Sequence, residues 1–405
     1  MQGKIINDPV YGFIRFPEKA LMQIIDHAWF QRLRSIKQMG MASLVYPGAV
    51  HTRFHHSLGA THLMGIALNE LMGKNIDITK EEYTAARLAI LLHDIGHGPF
   101  SHALEHSIVG NISHEDISKL IMQRLNMKFD GMLTDAIAIF ENTYPKAFLH
   151  QLVSSQLDMD RLDYLNRDSF YTGVSEGVIG YDRILQMLTV HNDGLVVEEK
   201  GVHSVEKFIV ARRLMYWQVY LHKTVLGAEQ LIIKILQRAK QLAQQNKELF
   251  ATPSLRFFLY ENIQATDFNQ QDNILESFCD LDDTDIMSAI KVWSTHSDVI
   301  LSQLCHMLLF RKLYKVKISA QPQLEQFKNL KQHALASGRW PEEALPYFLF
   351  EGITSNSTYN IVDERINILL KSGQVTDIST VDNALISASL TIPVKKYYIC
   401  NTALS

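Results

Sequence analysis

One stretch constrains this chain more than any other. The run from Glu82 to Leu92, EYTAARLAILL, is apolar enough to demand burial as a helix, and it leads straight into HDIGHGPFSHALEH, residues 93 to 106, with four histidines. Thr79 and Glu82 have capping-box spacing and mark where that helix starts. Imidazole is costly to bury without a partner, and inside a helix it does nothing that leucine does not do better. These histidines are therefore either solvated or converge on a common centre. Nine of the seventeen in the chain lie between positions 51 and 114: His51, His55, His56, His62, His93, His97, His102, His106 and His114.

The rest of the composition excludes several classes. At 405 residues, 47% hydrophobic and 20% charged, the chain can bury a large core and shows no sign of disorder. A net charge of −4 argues against bulk capture of nucleic acid, which is not expected as a substrate. The opening MQGKIINDPVYG lacks the apolar centre of a signal peptide, and no apolar run is long enough to span a bilayer. Cys279, Cys305 and Cys400 are too scattered for a metal-type pair and suit a reducing cytoplasm.

Periodicity predicts a mainly α chain. FPEKALMQIIDHAWFQRLRSIKQMG has helical spacing with a break near His27, where Asp26 is the expected cap, and a stop at Gly40. A loop over MASLVYPGAVHTRF precedes a helix ending at Gly73. Ser113 and Asp116 signal another helix start, and LDMDRLDYLNRDSFY a helix interrupted at Gly173. Asn192-Asp193-Gly194 between β-prone runs reads as a hairpin over residues 187 to 199. Two long helices follow, over SVEKFIVARRLMYWQVYLHKTV and AEQLIIKILQRAKQLAQQ. After about residue 310 the β-prone pieces LYKVKIS, YFLFEGI and KKYYIC appear. The expectation is a helical domain over residues 1–310, its core motifs within 50–170, and a smaller α+β lobe over 311–405.

His93 and Asp94 fall at the C-terminal end of the apolar helix, before a turn at Gly96. Neighbouring helical side chains diverge by about 100°. They can still address one ion from a helix end if other ligands come from elsewhere. His56, beginning another helix, offers a second imidazole, and Asp160, opening the helix of DMDRLDY, a second carboxylate. Two histidines and two aspartates with open positions suit one divalent ion such as Mn, Fe, Zn, Ni or Mg.

This ordered H…HD…D pattern, centred on HDIGH, resembles the HD superfamily of metal-dependent phosphohydrolases. The nearer resemblance is to its deoxynucleoside triphosphate triphosphohydrolases, including the vertebrate enzyme that carries a sterile alpha motif domain. It runs through KIINDPVYGFI, FQRLRSIKQMG, YPGAVHTRFHHSLG, LLHDIGHGPFSHALE, SHED, DMDRLDYLNRDS and YLHK, most of residues 4 to 225. The resemblance implies an HD-domain helical core and makes His56, His93, Asp94 and Asp160 the metal ligands. It places His97 at substrate phosphate, and His114, with Glu115 beside it, at proton transfer near the α-phosphorus. It also puts Arg53 and Arg161 on phosphate oxygens, Tyr164 and Asp168 at the sugar, and Gln38 and Met39 beside sugar and base. His102 contacts nucleotide or supports the site, and Tyr220 lines the base pocket. Protonated His and Arg are natural partners for such an anionic substrate.

The implied reaction is metal-dependent hydrolysis of a deoxynucleoside triphosphate, dGTP by preference, to deoxynucleoside and inorganic triphosphate. Lys4, Asn7, Asp26, Gln31 and Arg34 match a segment that reads an activating guanine nucleotide in the vertebrate enzyme, at a subunit interface. A homo-oligomer, tetramer or dimer, is therefore expected. Two departures stand out: Arg161 where the family often has lysine, and Leu221 where the vertebrate enzyme has a polar residue. His51, His55, His62 and His106 read as surface, supporting or satisfied core residues. The alternatives are an HD phosphohydrolase acting on a nucleoside monophosphate or cyclic nucleotide, or a non-enzymatic nucleotide sensor. The Glu-Asp that comes soon after HD in stringent-response hydrolases is absent from HDIGHG, and the GYP of the cyclic-dinucleotide class is not present.

Overall fold

The computed structural model describes residues 4–100, 109, 112–338, 340–356, 365–381 and 394–402. The N-terminal segment pairs β1 (Lys4–Asp8) with β2 (Gly12–Phe16) as an antiparallel ribbon that periodicity did not reveal. Gly12 makes its turn at a φ of 73°, where a side chain would be strained. Two short helices follow, α1 (Lys19–Ile25) and α2 (Ala28–Gln31), the second running into a 3-10 turn at Arg32–Ser35. Asp26 is not the expected N-cap. Its helical backbone closes α1, while the extended His27 caps α2, its ring nitrogen accepting from the Trp29 N–H at 3.3 Å.

Among the described residues six helices build the centre: α3 (Arg53–Gly73), α4 (Lys80–Leu92), α5 (His114–Lys128), α6 (Thr134–Phe140), α7 (Ala147–Val153) and α8 (Met159–Thr172). α3 is buried nearly all round, as expected of a helix with no strong polar face, and packs against both α4 and α8. Two glycines set those contacts. A Cβ on Gly59 would lie 2.1 Å from both Asp163 and Arg167 of α8, and one on Gly65 would lie 3.3 Å from Tyr83 of α4. α4 begins at the expected Thr79/Glu82 capping box, α5 at Ser113, and α8 ends at left-handed Gly173.

Next come α9 (Tyr181–Met187) and the expected hairpin, β3 (Leu188–His191) with β4 (Gly194–Glu198). Its turn residues Asn192 and Asp193 have φ of 50° and 62°. The first long helix is shorter than expected. α10 (Val202–Met215) loosens into a π turn at Tyr216–Tyr220, and His222 caps α11 (Lys223–Gln244) by accepting from the Thr224 N–H. The three β-prone pieces of the C-terminal region are β5 (Lys315–Ser319), β6 (Leu349–Asn356) and β9 (Val394–Asn401), an antiparallel sheet in the order β5-β9-β6. Two further strands, β7 (Asn367–Leu369) and β8 (Val375–Asp377), join the hairpin sheet through a parallel β4–β7 pairing. No helix among the described residues is long and apolar enough to cross a membrane.

Candidate functional site

Three helix ends bring the ordered motif together. His56 lies on the first turn of α3, His93 and Asp94 follow the last residue of α4, and Asp160 is the second residue of α8. His56 Nε2 is 3.1 Å from Asp160 Oδ1 and 3.4 Å from His93 Nε2. Asp94 closes the group, with Oδ1 3.4 Å from His93 Nε2 and Oδ2 3.7 Å from His56 Nε2. Donor atoms of His56, His93 and Asp160 lie within 4.8 Å of one another, a spacing that one cation can span.

What aims these rings is the opposite nitrogen of each. His56 Nδ1 meets Asp163 Oδ2 at 2.8 Å, and His93 Nδ1 meets the Ile90 carbonyl at 2.6 Å. Asp163 in turn takes two bonds from Arg167, whose Nη1 also reaches Asp8 of β1 at 2.8 Å. Such support is how imidazoles are oriented toward a metal, and the donor set of nitrogens and carboxylate oxygens fits a divalent ion. Asp8, Asp163 and Arg167 were not singled out in the sequence. The one local signal was the acid and base four apart on α8, Asp163 and Arg167.

The electrostatics agree with a cation site. Burial works against charge on His56, but Asp160 and Asp163 overcome it and hold the ring up at about 10. His93 is raised too, against its burial, by Asp94 and Asp160. Burial likewise opposes charge on Asp94 and Asp160, yet the facing imidazoles, and Arg53 in the case of Asp94, hold both carboxyls low. Carboxylates that keep protons on two imidazoles can hold a divalent cation in place of those protons.

His97 and His114 stack with ring centroids 3.8 Å apart, and His97 Nε2 lies 3.3 Å from Asp94 Oδ1. Burial and the nearby Arg53 push His97 down to about 3. Where it stands, the His97 ring is thus held against taking up a proton. Glu115, next to His114 on the first turn of α5, is exposed.

A cavity of about 620 Å³ adjoins this cluster through Arg53, which lines it and donates to Asp94 at 2.5 Å. Gln38, Met39, Tyr164, Asp168 and Tyr220 line it as well, so six of the sequence-predicted substrate residues share one chamber. Arg161 is not in its wall; it caps back onto Asp158, its Nη1 lying 3.4 Å from Oδ2. His102 lies outside the described residues. Leu221 lines the chamber, as do Arg212, Glu229 and Gln230, and Thr354 from β6. Asp168 is already engaged at both oxygens, by His51 Nε2 at 2.7 Å and by the Tyr220 hydroxyl at 2.6 Å. Burial and that carboxylate keep the Tyr220 phenol protonated. His51, expected as a surface, supporting or satisfied core residue, is a buried support of Asp168, stacked on Tyr171 at 4.4 Å.

The expected nucleotide-reading cluster lies on the outside. Lys4 Nζ is 3.3 Å from Asp26 Oδ1, both exposed, and Asn7 is exposed on β1. Gln31 accepts from Arg34 at 2.7 Å and donates to the Ile25 carbonyl at 2.6 Å, while the Arg34 guanidinium lies 3.7 Å above the Phe54 ring.

Comparison with known proteins adds the family. The HD domain matches residues 53–167, and the HD associated region residues 179–253. The uncharacterized protein YwfO of Bacillus subtilis is 33% identical over 93% of this chain and 87% of its own length. A deoxynucleoside triphosphate triphosphohydrolase SAMHD1 homolog from Dictyostelium discoideum is 32% identical over 61% of this chain, which spans 51% of that protein. Among solved structures, a phosphohydrolase from Bacteroides thetaiotaomicron has 50% identity and a TM-score of 0.94, covering 99% of this chain and 100% of its own.

Proposed function

The chain belongs to the HD superfamily of phosphohydrolases, related to the deoxynucleoside triphosphate triphosphohydrolases, and from that premise we propose that it hydrolyses a deoxynucleoside triphosphate, dGTP by preference, to deoxynucleoside and inorganic triphosphate. One observation carries the reading. Two imidazoles, each fixed through its far nitrogen, turn toward Asp160 and Asp94 at the edge of a nucleotide-sized chamber.

In this reading His56, His93, Asp94 and Asp160 hold one divalent ion, of the Mn, Fe, Zn, Ni or Mg class. When bound, the ion supplies Lewis-acid polarisation of a phosphoryl oxygen and a supply of hydroxide near neutrality. Arg53 balances charge on the phosphate oxygens beside Asp94, and Arg161 extends that role along the tail. His97, neutral, gives a single N–H to a phosphate oxygen. His114, stacked against it and less buried, passes a proton to the 5′ oxygen as the bond from the α-phosphorus breaks, with Glu115 steadying that exchange. Gln38, Met39, Tyr164, Asp168 and Tyr220 hold sugar and base, and His102 completes the substrate contacts.

The guanine-nucleotide reading belongs to the same proposal. Lys4, Asn7, Asp26, Gln31 and Arg34 bind dGTP or GTP between copies of the chain in a tetramer or dimer, and this raises activity. It is supported by the exposed Asp26 carboxylate beside Lys4, since guanine offers adjacent N1–H and N2–H donors to a carboxylate. The test is incubation with each dNTP, with deoxynucleoside monophosphates and with cyclic nucleotides, under a panel of divalent metals, followed by chromatography. Release of deoxynucleoside from dNTPs supports the reading. Turnover of monophosphates or cyclic nucleotides alone replaces it with another HD activity, and no turnover of any nucleotide leaves a sensor.

A further inference from the structure

Two residues at and just before the start of the helix Asp283–Trp293, Asp283 and Leu281, touch the site from far away in the chain, outside both family-matched stretches. Asp283 is buried, and its two oxygens accept from different loops: Oδ2 from the Lys37 N–H at 3.0 Å, and Oδ1 from the Phe100 N–H at 3.0 Å. Two residues earlier, the Leu281 carbonyl accepts from Arg32 Nη1 at 3.1 Å. Nη2 of the same buried guanidinium donates to the Ile95 carbonyl at 2.8 Å and the His97 carbonyl at 3.1 Å. The loop that follows His93 and Asp94 is therefore tied at Ile95, His97 and Phe100 to one short segment.

Each tie answers a physical need. Carbonyls past the end of α4 have no partner within the helix, and burial makes an unpaired one costly. Phe100 has a φ of 52°, a left-handed conformation that a bulky residue keeps only when its surroundings enforce it. Lys37 bridges to Thr52, while the Gln38 N–H donates to the His51 carbonyl at 3.0 Å and the Arg53 N–H to the Ile36 carbonyl at 2.9 Å. Fixing Lys37 thus fixes Gln38, Met39 and Arg53, one wall of the chamber, and fixing Phe100 fixes another. Only a carboxylate offers two acceptors in this shape; an amide would turn an NH₂ toward one of the two N–H groups.

We infer that Asp283 is a positioning residue for the chamber, holding the Lys37–Met39 and Phe100 walls in register, with Arg32 as the matching clamp on the Ile95–His97 carbonyls. The inference rests on the proposed nucleotide-binding role of that chamber. The test compares the full-length wild type with Asp283→Asn by amide hydrogen exchange at Lys37 and Phe100, and by kcat and KM for dGTP with Mn²⁺. Expected is exchange at least about tenfold faster at one of those amides and a KM about tenfold higher, with kcat changed by less than about threefold. A lower melting temperature with KM unchanged is the result of a merely structural role and overturns the inference. Should Asp283→Asn not fold, Asp283→Glu, which keeps both acceptors on a longer arm, takes the same readouts. If the wild type turns over no nucleotide, the proposed function fails on its own, and unchanged protection of both amides still overturns the clamp.

Discussion

Two polar clusters in this molecule each place an aspartate against a basic side chain and differ in almost everything else. Around His56 and His93 the groups are buried except Asp160, which is half-buried, and each ring is fixed through a second partner, Asp163 or the Ile90 carbonyl. Around Lys4 and Asp26 the ion pair is exposed, Gln31 bonds to Arg34 and to the Ile25 carbonyl, and Arg34 lies over the Phe54 ring. Preorganisation separates them. The buried cluster has its geometry before any ligand arrives, whereas the surface cluster must give up water and its own contacts to accept one.

Substitutions graded from the first cluster to the second sharpen that contrast. His56→Ala should abolish bound metal and lower dNTP hydrolysis by at least about a thousandfold, the loss of several kcal/mol of charge stabilisation, measured by metal analysis and steady-state rates. Full metal occupancy in that variant breaks the assignment. Asp163→Asn keeps every first ligand but loosens the His56 ring and the Arg167 link. It should weaken metal affinity by about 10- to 100-fold, read by Mn²⁺ titration. Tyr220→Phe removes one donor from Asp168 and should raise KM for dNTP by up to about tenfold, with bound metal unchanged. Asp26→Ala should change stability by less than about 1 kcal/mol, because its pair with Lys4 is exposed, while shifting the activation curve for dGTP or GTP. An unchanged activation curve, or a monomer at all nucleotide concentrations by light scattering, removes the regulatory reading and leaves the buried cluster untouched.

The same contrast explains what was legible beforehand. His56, His93, Asp94 and Asp160 stand at helix ends flagged by caps and glycines, so local signals alone placed them near turns, and the ordered motif supplied the rest. The hairpin at Asn192-Asp193 and the strands after residue 310 were legible because turn chemistry and β-branched runs are local too. Asp163, Arg167 and Asp8 escaped notice because their meaning lies in a contact between α8 and β1, 159 residues apart in the chain. His51 reads as an ordinary loop residue until Asp168, 117 residues on, comes to meet it. The π turn at Tyr216–Tyr220 was invisible for a different reason: its residues continue the helical pattern, and only the backbone register changes.

If the buried cluster and the chamber beside it act as one site, as proposed, a nucleotide bound there opens at its α-phosphorus. Hydrolysis of dGTP with Mn²⁺ in oxygen-18 water, read by phosphorus NMR and mass spectrometry, tests it most directly. The expected products are intact triphosphate carrying one oxygen-18 atom and unlabelled deoxyguanosine, because water adds to the α-phosphorus as its bond to the 5′ oxygen breaks. Labelled nucleoside monophosphate with pyrophosphate, or orthophosphate with nucleoside diphosphate, would contradict it.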